Sequence, residues 1–96
     1  MRTVYDALRD AIRAEYPVAL ATMIDGPSVG AKLLVRPDAE PLGSLGDAEL
    51  DRVVARDARG ELAAGRSGIR HYGAHGEARE GSVSVFVESF AAPQGW

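Results

Sequence analysis

Cysteine is absent from the 96 residues. That one absence excludes disulfides, thiolate metal sites, a persulfide carrier and a cysteine nucleophile. Lysine is nearly absent: Lys32 is the single one among 11 basic residues. With alanine abundant, this reads as the codon bias of a GC-rich genome and not as function. Aromatic residues make up only 6%, so Val, Leu, Ile and Ala must fill the core. No apolar run approaches the roughly 20 residues of a spanning helix. The stretch from Met1 to Tyr16 carries Asp and Glu through its apolar pattern, which a secretory signal does not. Excess positive charge is lacking too. A net charge of −3 argues against nucleic acid and anionic membrane, which need a concentrated basic face.

What is present, 46% apolar and 26% charged residues, is the composition of a folded globular domain. A chain of this size makes one domain and buries roughly two thirds of its unfolded surface. The expectation is a single domain over 1–93, with 94–96 a linker or cut end, in the cytoplasm.

Val4, Leu8, Ala11 and Ile12 recur at helical spacing with Tyr5 beside them, Thr3 and Asp6 fit a capping box, and Pro17 limits the helix. The continuous run from Pro17 to Ile24 predicts a strand covered on both faces or deep in a sheet. A loop with Gly26, Pro27 and Gly30 leads to a returning strand, 31–36. A turn over 37–41 and a short strand or loop over 42–46 precede a second helix, about 47–64. Its apolar line is Leu50, Val53, Val54, Ala58 and Leu62; Gly65 is a natural stop, and Gly60 marks a kink or break. A short strand at 69–72, a polar turn at 74–81 and a strand at 82–90 follow. Alternation in the last puts Val83, Val85 and Val87 on one face and Ser82, Ser84, Phe86 and Glu88 on the other. The fold class is therefore α+β, a mainly antiparallel sheet of two hairpins with two helices packed on it. An exposed sheet edge or bare face of so small a sheet needs cover, most simply a second copy.

Two glycine-bearing stretches stand out, Gly26 to Lys32 and Gly43-Ser44-Leu45-Gly46. A glycine turn entering a helix can aim backbone N–H groups at an anion such as a phosphate, or it can serve only as a tight turn. Asp47, Glu49 and Asp51 in the first turn of the second helix suit its positive end and compete with a bound phosphate. His71 and His75 have Gly73 between them, a context that suits exposed turn residues better than metal ligands. A small hydrolase or transferase built on Ser44 or Glu88 would need these residues and His71 in one pocket.

Val18-Ala-Leu-Ala-Thr22, Gly30-Ala-Lys-Leu-Leu-Val35 and Pro41-Leu-Gly-Ser-Leu-Gly46 before Glu49-Leu50-Asp51 resemble, in this order, the N-terminal domain of XdhC/CoxI proteins. The segments Gly65 to Gly73 and Val85 to Pro93 are similar to that family too, so the resemblance runs from Val18 to Pro93. These are accessory proteins of xanthine dehydrogenase and carbon monoxide dehydrogenase. The resemblance implies a protein that acts by binding and is not an enzyme. It receives molybdenum cofactor, helps its sulfuration by a separate sulfurtransferase and delivers it to the molybdenum hydroxylase apo-enzyme. A Rossmann-like domain usually follows.

Carried over position by position, the resemblance nominates Gly30, Lys32, Gly43, Ser44, Gly46 and Glu49 for contact with molybdenum cofactor (molybdopterin). Two departures stand out. The first loop is shorter than the family's and lacks its arginine. Asp47, Ala48 and Glu49 replace two glycines and a Cys or His, so a carboxylate stands where a residue could have touched molybdenum or sulfur. The alternative within the same family is a dimerisation or protein-interaction module without a ligand of its own.

Overall fold

A computed structural model describes residues 3–73, 75 and 83–90. Thr3 opens the first helix. Its hydroxyl accepts the Asp6 N–H at 3.1 Å, and the Asp6 carboxylate accepts the Thr3 N–H at 3.2 Å. This reciprocal cap contributes about 1 kcal/mol. Helix α1 (Val4–Arg13) ends before the expected limit at Pro17. Glu15 takes a left-handed φ of 56°, so that its N–H reaches the Ile12 carbonyl and the Tyr16 N–H reaches that of Ala11. That closure satisfies orphan carbonyls and stops the helix without help from proline. The buried stripe is Ala7 and Ala11 flanked by Val4 and Leu8. Ile12, expected on it, is half exposed.

Five strands form one open antiparallel sheet in the order β3-β2-β1-β5-β4. They are β1 (Val18–Asp25), β2 (Lys32–Arg36), β3 (Ala39–Gly43), β4 (Gly68–Tyr72) and β5 (Val83–Phe90). The α+β class and antiparallel sheet expected from the sequence are what the chain forms. Strand β3 departs from expectation, since residues 37–41 were to be a turn. The turn is confined to Pro37 and Asp38, and Pro41 lies within β3, where an edge strand tolerates its missing N–H. The sheet is thus a three-stranded meander joined to the β4–β5 hairpin through β1 and β5.

The helices lie on opposite faces. On one side α1 packs on Val18, Leu20 and Leu34. On the other, α2 (Ala48–Ala64) packs on Ala19, Ala21, Met23, Leu33, Val35 and the valines of β5. This explains the unbroken apolar run of β1: its alternate residues are buried under different helices. Leu50, Val54, Ala55, Ala58 and Leu62 are buried along α2; full burial of a leucine contributes about 2 kcal/mol. The helix runs through Gly60 without the expected break and stops at Gly65, φ 69°. Tyr72 donates to Asp57 at 2.8 Å and Arg70 to Glu61 at 3.1 Å, which ties α2 to β4.

No helix among the described residues is long and apolar enough to cross a membrane. The expected turn at 74–81 (His75 apart), Ser82 at the head of the last strand, and the tail from Ala91 through 94–96 lie outside the described residues.

Candidate functional site

The two glycine-bearing stretches meet at the N-terminus of α2. In the β1–β2 loop the Gly30 N–H donates to the Met23 carbonyl at 2.8 Å and Ala31 to Ser28 at 2.9 Å. Gly30 takes φ 93°, the left-handed region that favours glycine. In the second stretch, a Cβ on Gly43 would lie 2.4 Å from the Lys32 carbonyl oxygen. Only glycine lets the chain pass so close, and the Ser44 N–H uses the same oxygen at 3.1 Å. A Cβ on Gly46 would lie 2.8 Å from the Ser28 hydroxyl oxygen. The loops are therefore in contact, with Leu45 buried beneath them.

Helix α2 is not capped by its N-cap residue. The Asp47 side chain makes no cap hydrogen bond and stands 2.8 Å from His75 Nδ1. One turn later, Asp51 reaches back to the loop. Its carboxylate accepts the Ser44 hydroxyl at 2.7 Å and the Leu45 N–H at 2.7 Å. The Gly46 N–H donates to the Ser44 hydroxyl oxygen at 3.0 Å. The N–H groups of Ser44, Leu45 and Gly46 thus all have partners within the chain.

The other nominated residues diverge. Glu49 is exposed and pairs with Arg52 at 2.9 Å. Lys32 points to the α1 side of the sheet, where its ammonium donates to Thr22 at 3.2 Å and stands 5.8 Å from the Tyr5 ring centroid. Gly43, Ser44, Gly46 and Glu49 thus gather at one end of α2, Gly30 lies in the adjoining loop, and the Lys32 charge faces away. Ser44, His71 and Glu88 have separate surroundings: His71 Nδ1 lies 2.9 Å from Ser84 Oγ, Ser44 is on Asp51, and Glu88 stands opposite Leu20 in the sheet.

Beside the loops runs a groove of about 430 Å³ between β3 and α2. Leu33, Pro41 and Gly43 line it from the sheet, and Asp51, Arg52 and Arg59 from the helix. Arg59 donates from Nε to the Arg36 carbonyl at 3.1 Å and from a terminal nitrogen to the Ala39 carbonyl at 3.2 Å. Sequence reasoning missed Arg52 and Arg59. Seven residues apart, the two share one flank of a helix, but only the return of the chain as β3 gives that flank a facing wall.

The sequence model described as XdhC and CoxI family matches residues 11–73, from the last turn of α1 to just past β4 and including both glycine loops. No curated protein matches the chain.

Proposed function

This chain belongs to the XdhC and CoxI family, whose members are accessory maturation proteins, and on that premise we propose that it binds molybdenum cofactor on the way to a molybdenum hydroxylase apo-enzyme. The observation that carries the reading is the meeting of the two glycine loops beside the β3–α2 groove. Molybdenum cofactor is a pterin bearing a metal-binding dithiolene and a phosphate. The donor set suits the organic part of that group. The Asp51 carboxylate offers acceptors for the pterin N–H groups, and Arg52 and Arg59 offer donors for a phosphate. Glu49, paired with Arg52 of the groove, is a carboxylate and so a hard ligand, not a sulfur donor.

The reading is binding and transfer without turnover. A carrier must release its cargo, and a shallow groove with an exposed rim arginine suits that better than a closed cavity. Delivery to the apo-enzyme and sulfuration by a separate sulfurtransferase belong to the same proposal. The test is anaerobic incubation of molybdenum cofactor, freshly released from a molybdoenzyme, with the domain, bound and free fractions then being separated and the pterin measured by fluorescence after oxidation. Saturable binding at one site per chain is the expected result, and no binding at millimolar protein overturns the reading.

A second reading, an interaction or dimerisation module, is favoured by the part of the sheet that α1 leaves bare. Ile69, Phe86 and Thr22 stand in one cross-strand row on that face, and Ile69 is 56% exposed. Strand β4 forms an edge of the sheet without the proline that blunts β3.

A further inference from the structure

A second cavity, of about 240 Å³, opens beside the C-terminal half of α1, on the face of the sheet opposite the β3–α2 groove. Alanines at 7, 11 and 14 line it from the helix. Their three- and four-residue spacing puts them on one flank, where so small a side chain leaves space between helix and sheet. Val18 and Leu34 stand across from them, so the floor is apolar. A volume of about 240 Å³ is the share of about eight liquid waters. That is room for a molecule of roughly as many non-hydrogen atoms, and too little for a nucleotide.

The mouth carries both signs of charge. Arg36, half buried at the end of β2, donates from Nε to the Glu40 carbonyl at 3.1 Å and from a terminal nitrogen to the same oxygen. That acceptor is neutral, and among the described residues no carboxylate pairs with Arg36. The guanidinium is therefore held in direction across the β2–β3 turn, its charge unneutralised, with N–H groups to spare out of five. On the helix wall stands Asp10. Its carboxylate lies 3.5 Å from Arg9 in a solvent-exposed pair, a contact weak enough to be shared with a second cation. Tyr16 completes the mouth. Its hydroxyl donates to Asp38, so its oxygen serves an incoming N–H as an acceptor. The C-terminal end of α1 adds the negative end of its dipole, which also favours a cation on this wall.

An anion recogniser, a cation recogniser and an apolar floor thus share one small cavity, and each excludes a class of ligand. A simple carboxylic acid meets repulsion from Asp10 without compensation. A simple amine meets the same from Arg36. A phosphate ester brings extra negative charge against the Asp10 wall. A zwitterion answers both charges at once and adds no net charge.

We propose that this cavity binds a free aliphatic α-amino acid of valine or leucine size, its carboxylate on Arg36, its ammonium on Asp10 and the Tyr16 oxygen, and its side chain on the apolar floor. The site is separate from the cofactor reading, because the glycine loops and their groove lie across the sheet.

The test titrates L-leucine, 4-methylpentanoate, 3-methylbutylamine and glycine separately into the 96-residue chain, followed by calorimetry and backbone amide shifts. The three analogues lack in turn the ammonium, the carboxylate and the side chain. L-leucine is expected to bind saturably, one per chain, with a dissociation constant below about 5 mM and shifts centred on Ala11, Val18 and Leu34. Each analogue binds at least about tenfold more weakly. Arg36→Gln and Asp10→Asn each weaken leucine binding by roughly tenfold or more. Because Arg36 also holds the β2–β3 turn, Ala14→Leu serves as a further variant. It fills the cavity from an exposed position, leaves the melting temperature unchanged and still weakens binding.

Failure of L-leucine to saturate the chain at a concentration about tenfold above that limit overturns the proposal. So does any analogue that binds as tightly as leucine, or an affinity indifferent to Arg36→Gln, to Asp10→Asn or to Ala14→Leu. Leucine-induced shifts confined to Ala55 and Arg59 of α2 move the ligand to the other face and overturn it as well.

Discussion

The Ser44 hydroxyl donates to one oxygen of Asp51 across 2.7 Å while the neighbouring Leu45 N–H donates to the other, also at 2.7 Å. The chain thus supplies its own anion to the loop that enters α2. This contact clamps the glycine turn onto the helix and sets the direction of the carboxylate that faces the groove.

Removing either partner should loosen that turn. Asp51→Ala is expected to cost about 1–3 kcal/mol, since it leaves donors without acceptors, and Ser44→Ala about 0.5–1.5 kcal/mol. As the two side chains touch, the double variant should lose less than the sum of the singles by at least about 0.5 kcal/mol. Urea denaturation of the four proteins measures this, and simple additivity would show that the contact is not coupled.

Two glycines should respond in opposite directions to alanine. At Gly43 a Cβ would meet the Lys32 carbonyl at 2.4 Å and the Val4 side chain at 2.9 Å, on a backbone at φ 87°. Gly43→Ala is expected to destabilise by more than about 2 kcal/mol. Gly60 lies inside α2 with nothing within 4 Å of its Cβ position, so Gly60→Ala should stabilise by about 0.5–1 kcal/mol. Thermal melts of the two variants decide both.

The contrast marks what the sequence made legible. Gly60 looks like a helix breaker because propensity is local, yet Val54, Ala58 and Leu62 hold α2 straight from a sheet that propensity does not see. The two-sided burial of β1 was readable, because only a strand covered on both faces repays Val18, Ala19, Leu20 and Ala21 in succession. Strand β3 was not, since Pro37 and Pro41 read as turn markers and an edge strand is the one place in a sheet that accepts such residues. At the site, the glycine motif was visible. The back-bond from Asp51 and the guanidinium of Arg59 were not, because each depends on a segment folded against it from elsewhere in the chain.

Stability should fall in strong alkali through Tyr72. Burial raises its phenol pKa well above the ordinary value, and the hydrogen bond to Asp57 with that residue's negative charge raises it further, Arg70 opposing. The folded state therefore holds the proton more tightly than the unfolded chain, where tyrosine titrates near 10. The contribution is complete below about pH 10 and is lost as pH rises beyond it. Tyr72→Phe should flatten the alkaline limb of a stability profile and cost about 0.5–1.5 kcal/mol at neutral pH by leaving Asp57 one donor short. An unchanged alkaline limb would assign it to other groups.

The bare half of the sheet should associate. Light scattering at high micromolar concentration is expected to give a dimer mass, and Ile69→Lys, placed where the wild-type side chain is 56% exposed, should return it to monomer. A monomer mass for the wild type counts against association through this face.

Strand β1 has a neighbour on each side, β2 close behind it in sequence and β5 last of all the strands. As the chain leaves the ribosome, the helix and meander that form first must wait with one whole flank of β1, apolar on both faces, open to any passing strand. Synthesis time and chaperone shelter over that interval then bear on how much of the protein reaches its native state. Slowing translation between the codons for Tyr72 and Val83 would lengthen the wait and raise the aggregated fraction at equal expression.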